Sequence, residues 1–313
     1  MDNRISNYLI KNNMPRHNQI DFVNISVQKD THLFIDPVLI DTGNTEFCKE
    51  AKIITNGYFN ALYETYYNYG SDTRKRYLLK YAQEINSTHI GYAKRNGKGN
   101  TESGLFNVFK GIDNYINSIR LKRTFDIVLY VPNFAEDGMS DLLTNILYKK
   151  LSEFTLEQCK KCGFPTSPCI DNRFFWNPLT QNWEKYTGES MIINGKTILL
   201  VPKEIVQYRY RFTCDNYLRS VIVENICEDR AIISKDGKKL RPKKDDIRSQ
   251  LINENGTIFL AIKNLTQNKT HFLDQYHKLV DEKYKSLQMS DEELDKIVYG
   301  TNFDDQQWVK VYS

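Results

Sequence analysis

The chain has 313 residues, about two average domains by length or one large α/β domain. Apolar residues make up 40 % of it, enough for a real core, and the +4 left by 43 Lys and Arg against 39 Asp and Glu is too small to signal a nucleic-acid or membrane partner by bulk charge. No stretch approaches the roughly 18 apolar residues of a spanning helix. The opening MDNRISNYLIKNNMPRHNQ has no apolar run of the secretory kind, so a cytoplasmic protein is expected, with its six Cys as free thiols.

In chain order, the alternation over 22–27 and the apolar run 32–35 predict two strands. Asp36-Pro37 ends the second, because proline brings no amide to a ladder. Phe47, Ala51, Ile54, Tyr58, Leu62 and Tyr66 recur at helical spacing, which predicts a helix over 45–69. A second helix is expected over 72–85. Residues 91–104, GYAKRNGKGNTESG, hold four Gly and three basic residues and no core-forming run, so they read as a loop. A helix follows over 106–118, and FDIVLYV at 125–131 reads as a buried strand closed by Pro132.

Ser140 is a natural N-cap and Asp141 an acidic first-turn residue for a helix reaching about 162–163, with re-capping near Thr155. Residues 164–197 are irregular or form short hairpins around Trp176 and Trp183. A strand over 196–201 stops at Pro202, and 214–228 reads as helix. Ala231 to Ser234 with Asp236-Gly237 suggests a short strand and turn. The tail from about Asn264 to Tyr299 reads as helical, with Ser290 opening the last helix. The fold expected is α/β, a mixed sheet built on 22–27, 32–35, 125–131 and 196–201, flanked by helices and followed by a helical C-terminal region. The division expected is 1–163, an α/β core with the candidate site, and 164–313, a smaller α+β region, with a single domain as the alternative.

Five groups of residues have chemical potential. Asp36, at the end of a strand, stands where open α/β sheets bind ligands, although an Asp before Pro is also an ordinary turn cap. In the Gly-rich loop, Lys94, Arg95 and Lys98 supply charge and the glycines allow close anion approach, but the spacing is neither a P-loop nor a dinucleotide fingerprint. A solvated loop is the plain alternative. Glu136, Asp137 and Asp141 put three carboxylates within six residues, with Asn145 on the same helix face as Asp141. With Asp36 they offer oxygen ligands to Mg or Mn, while capping alone accounts for Ser140 and Asp141. Cys159, Cys162 and Cys169 lack a second CxxC or a His pair, so zinc is not expected.

The fifth is charge. Lys235, Lys238, Lys239, Arg241, Lys243, Lys244 and Arg248 are seven basic residues within fourteen positions, against three acidic ones. Arg209 and Arg211 alternate with Tyr208 and Tyr210 upstream, and Arg74, Lys75 and Arg76 form another cluster. Interleaved basic and aromatic residues suit nucleic acid; a solvated hairpin with charged flanks is the ordinary reading. There is no GxSxG, HExxH or kinase signature, and no Glu-x-Lys on a predicted strand.

Taken as a set, LFIDPVLI (33–40), IGYAK (90–94), GMSDLLTNI (138–146), ILLVPK (198–203) and KKDDIR (243–248) resemble an uncharacterised bacterial family associated with phage defence, over roughly residues 20–285. In its members this region precedes a restriction-endonuclease-like domain, which the present sequence lacks. The resemblance implies a defence component that binds nucleic acid and acts with a partner protein. Two alternatives stand beside it. One is a metal-dependent phosphodiesterase or nuclease, in which Asp36 and Asp141 hold the metal and Lys94 neutralises a phosphate. The other is a scaffold without a ligand site.

Overall fold

The computed structural model describes residues 3–11, 15–82, 85–92, 102–132, 134, 136–284 and 287–300. Helices α1 (Ile5–Leu9), α2 (Pro37–Thr42), α3 (Glu46–Tyr67), α4 (Asp72–Leu79), α5 (Glu102–Lys110), α6 (Ile127–Tyr130), α7 (Glu136–Ile146) and α8 (Tyr148–Cys162) make the first half, with strand β1 (Phe34–Ile35) between α1 and α2. Strands β2 (Ser167–Pro168), β3 (Phe174–Asn177), β4 (Asn182–Lys185), β5 (Glu189–Ile193), β6 (Lys196–Ile198) and β7 (Val206–Gln207) follow. Then come α9 (Cys214–Tyr217), a π-helical turn (Leu218–Val223), α10 (Glu224–Asp229), strands β8 (Ile232–Ile233) and β9 (Lys239–Leu240), and helices α11 (Lys244–Asn255), α12 (Ile258–Asn268), α13 (His271–Lys283) and α14 (Asp291–Tyr299).

The expected combination of helices, a modest amount of sheet and a helical C-terminal region is present. The sheet is not one layer: among the described residues, strands pair as β1–β7, β2–β5–β6, β3–β4 and β8–β9, all antiparallel. Two predicted strands are absent. Residues 22–27 make only the isolated bridge of Phe22 to Pro202 and that of Ser26 to Arg4. The run 125–131 is a 3-10 turn (Thr124–Asp126) leading into α6. A segment buried on every side has no polar face to set a period, so its apolar run fits helix and strand alike. The side chain of Asp126, itself fully buried, accepts the amides of Lys122 (2.7 Å) and Arg123 (2.9 Å) and so selects the helical turn.

Local signals with a polar face perform better. Thr45 accepts the amide of Cys48 and starts α3 at the expected place, and Tyr58, Leu62 and Tyr66 lie on its buried face. Ser290 and Glu293 form a capping box at the start of α14. The Trp-centred hairpin is β3–β4, with Trp176 directly opposite Trp183 and Tyr58 edge-on to both. The Arg74–Arg76 cluster is taken up in packing: Lys75 is buried against Asp113 (2.6 Å) and the Tyr66 ring, and the Arg76 guanidinium lies 3.9 Å from the centre of Phe106. One hydrophobic core joins residues from Ile5 through Val298. No helix among the described residues is long and apolar enough to cross a membrane.

Candidate functional site

The site begins where β1 ends. Phe34 and Ile35 pair with Gln207 and Val206, and the Asp36 amide extends the ladder to Ile205 O at 2.8 Å. The chain then turns into α2. Pro37 stands at the first helical position, where its fixed φ suits the helix, and Asp36 Oδ1 accepts the Val38 amide at 2.7 Å. Asp36 is therefore an N-cap, as its turn reading holds, and its carboxyl is only 6 % exposed. Among the described residues no open parallel sheet lies behind it, so Asp36 does not stand at a sheet crevice.

Helix α7 packs across β1. It starts at Glu136, five residues before the first helical position that a Ser140 cap implies, with Glu136 and Asp137 in its first turn. Ser140 is consequently inside the helix and not its cap. It is buried, and its Oγ accepts the Ile35 amide at 3.0 Å, a bond across 105 positions that no local pattern announces. Asp141 follows in the second turn, and the Asn145 side-chain amide donates to the Asp141 backbone carbonyl at 2.9 Å. The helix breaks at Leu147, while Thr155 stays within α8.

The 31–35 segment also receives the stem of the Gly-rich loop. Thr31 donates to His89 O and Gly91 to Thr31 O, both at 2.9 Å. Gly91 has φ +139°, and a Cβ there would meet Asp137 Oδ1 at 3.0 Å, so both conformation and space favour glycine. Tyr92, 44 % exposed, donates its amide to Asp137 Oδ1 and its hydroxyl to Glu136 Oε2, each at 3.4 Å. Its ring joins a cluster with His32 and Phe34, at centroid distances of 5.1 and 4.9 Å, and His32 lies 4.4 Å from Tyr208. Lys94, Arg95 and Lys98, which follow directly, lie outside the described residues.

Tyr210 closes the site from below, its hydroxyl donating to Ile35 O at 2.5 Å with Glu136 O 3.3 Å away. Burial, then Asp36, Glu136, Asp141 and Asp137, hold this phenol well above its ordinary range, so all four carboxylates bear on one buried oxygen. Burial pushes the Asp36 carboxyl up to about 7; the Val38 and Leu39 amides and Arg211 oppose this, and Glu136 adds to it. Asp137 is raised chiefly by burial, with the Tyr92 amide opposing and Asp30 and Glu136 reinforcing. The arrangement thus offers a carboxyl that exchanges protons near neutrality, oxygen donors for a hard cation, and an aromatic surface. Among the described residues, no three or more His, Cys, Asp or Glu side chains are grouped to hold a metal ion.

The remaining candidates are elsewhere. Arg209 is exposed with its guanidinium 5.7 Å from the Tyr208 ring centre, whereas Arg211 acts on Asp36. In the 235–248 segment the six basic residues from Lys235 to Lys244 are exposed and Arg248 is half-buried, but several of these cations are engaged. Lys239 pairs with Glu228, Arg241 with Glu224 (2.5 Å) and Glu228 (3.3 Å), Lys244 with Glu224 (2.5 Å), Arg248 with Asp215 (2.6 Å) and Lys238 with Asp236 (3.5 Å). Cys159 is buried, Cys162 and Cys169 are half-buried, and all three are free thiols. Tyr92, Tyr210 and His32 are the site residues that sequence reasoning missed; only the Tyr-Arg-Tyr-Arg alternation at 208–211 hinted at one of them.

These features define a helix-rich protein with small antiparallel sheets and an acidic–aromatic site where β1, α2, α7 and the stem of the Gly-rich loop meet. The chain belongs to the domain-of-unknown-function family DUF8370, whose profile matches residues 13–213. The match takes in Asp36, the Gly-rich loop, Asp141, Arg209 and Arg211, and ends before 235–248. No curated protein and no solved structure matches the chain.

Proposed function

We propose that this chain is a nucleic-acid-binding component of bacterial anti-phage defence that acts with a partner protein. The observation that carries the binding is the exposure of Lys235, Lys238, Lys239, Arg241, Lys243 and Lys244 along one stretch of chain rather than as scattered or buried charges. Its ion pairs with Glu224, Glu228 and Asp215 are largely solvated, so each is weak and phosphate oxygens compete for the same cations. The defence setting and the partner follow from the family resemblance. The test is fluorescence anisotropy with labelled single- and double-stranded DNA and RNA over a salt series. Salt-sensitive binding with intact strands is expected, and changing Lys235, Lys238 and Lys243 together to Ala lowers the slope of log K against log salt by about 3 for duplex DNA. Absence of salt-dependent binding overturns the proposal.

A second reading rests on the electrostatic influence of Asp36, Glu136, Asp137 and Asp141 on Tyr210: a Mg- or Mn-dependent phosphodiesterase using Asp36 and Asp141, with Lys94 on the phosphate. It requires metal-dependent cleavage in the same samples, lost in both Asp36→Ala and Asp141→Ala while thermal unfolding is retained.

A further inference from the structure

The β8–β9 hairpin has a composition that its own fold does not explain. Its turn is closed by Ser234 N–H to Lys238 O at 2.8 Å, with Gly237 at φ +78°. Ile232 is paired with Leu240, and Ile233 with Lys239. Three aliphatic side chains stand in water: Ile232 is 63 % exposed, Ile233 69 % and Leu240 50 %. Because cross-strand partners share a face and neighbours alternate, Ile232 and Leu240 occupy one face of the ribbon and Ile233 the other.

The cations are sorted along the same ribbon. At its base Lys239, Arg241 and Lys244 are tied to Glu224 and Glu228 of α10, which steadies a two-stranded hairpin that is marginal alone. Residues 231–244 hold six Lys and Arg against the single acid Asp236. Among the described residues Lys235 and Lys243 pair with no carboxylate.

We propose that this ribbon enters the major groove of double-stranded DNA, with its lysines on the phosphates and Ile232, Ile233 and Leu240 against thymine methyl groups. The proposal rests on the nucleic-acid reading above and names the duplex and the mode of contact. Strands about 4.8 Å apart with side chains on both faces fit a groove about 12 Å wide, whereas the major groove of A-form RNA is too narrow. Strand addition by a peptide gains little, because each strand is two residues long. The thymine C5-methyl is the apolar feature of the groove, and the exposed aliphatics complement it.

The experiment measures anisotropy of the full chain on an A·T-rich duplex and on the same duplex with uracil in place of thymine, which removes only the methyl groups. The wild type is expected to bind the thymine duplex tighter, by about fourfold per methyl buried. The variant Ile232→Ser/Ile233→Ser/Leu240→Ser, checked for unchanged thermal unfolding, loses that preference and keeps the salt slope. Lys235→Ala/Lys238→Ala weakens both duplexes equally. Equal wild-type affinity for the two duplexes, with normal salt dependence, overturns the groove proposal and leaves the nucleic-acid reading standing. No binding to either overturns both. Aliphatic-dependent binding to phosphatidylserine–phosphatidylcholine vesicles, with no thymine preference on DNA, assigns the ribbon to a lipid surface instead.

Discussion

Replacing Asp36 by Asn makes the protein more stable at alkaline pH, although it removes a charged helix cap. The Asn side chain keeps an oxygen for the Val38 amide, so the cap bond at 2.7 Å has a successor. What disappears is the cost of ionising a carboxyl that is 6 % exposed and shares its surroundings with Glu136. Asp36 is raised from 3.8 to about 7, so between these values the folded chain holds a proton that the unfolded chain has released. Stability therefore falls as pH rises through this window and is level above it. At about 1.4 kcal/mol per pH unit, the wild type forgoes about 4 kcal/mol by pH ~8 and less than half of that at pH ~5. Asp36→Asn escapes both, so the gap in its favour widens with pH. For 313 residues the larger value corresponds to a rise in Tm of about 6 °C. Urea unfolding and thermal scans of the two proteins at these pH values measure the gap. A variant less stable than the wild type by the same amount at both pH values would show that Asp36 is an ionised cap throughout, and the reasoning fails.

Two further outcomes test the packing around the site and at the chain's far end. Gly91→Ala places a Cβ 3.0 Å from Asp137 Oδ1 at φ +139°, and is expected to cost about 1–3 kcal/mol in chemical unfolding; an unchanged midpoint means the 89–92 stem is not held against α7. Asp295 lies at the junction of α14 with residues 16–17, accepting from His17 Nδ1 at 2.7 Å, from the His17 amide at 3.1 Å and from Arg16 at 3.1 Å. Burial works to raise its carboxyl, but the bonds from His17 and Arg16 outweigh it and hold the group below its ordinary range. A depressed carboxyl stabilises above its unfolded pKa and stops doing so as pH falls through the folded value. Asp295→Ala is thus expected to lose about 3 kcal/mol at neutral pH and progressively less in acid; a pH-independent loss refutes the ionic account.

What was legible without coordinates came from short-range physics. Thr45 and Ser290 each accept an amide three residues ahead, and the spacing on α3 separates a wet face from a dry one; both effects act within a turn or two of chain. Asp36 was visible as a turn residue before Pro37, and Glu136, Asp137 and Asp141 as an acidic run beside a helix start. The sequence by itself determined most of the helices and the helical C-terminal region, and offered short hairpins around Trp176 and Trp183 as one of two readings.

Tertiary structure decided the rest. Residues 125–131 are buried on all sides, so hydrophobicity carried no period, and Asp126 capturing two amides made the segment helical. Ser140 looked like a cap because its role, holding the Ile35 amide, needs a partner 105 positions away. The same holds for the basic segment, whose seven cations outnumber its three acids in the sequence until α10 brings Glu224 and Glu228 against it. Asp36 acquires a near-neutral carboxyl through burial, and desolvation belongs to the assembled surroundings rather than to any residue.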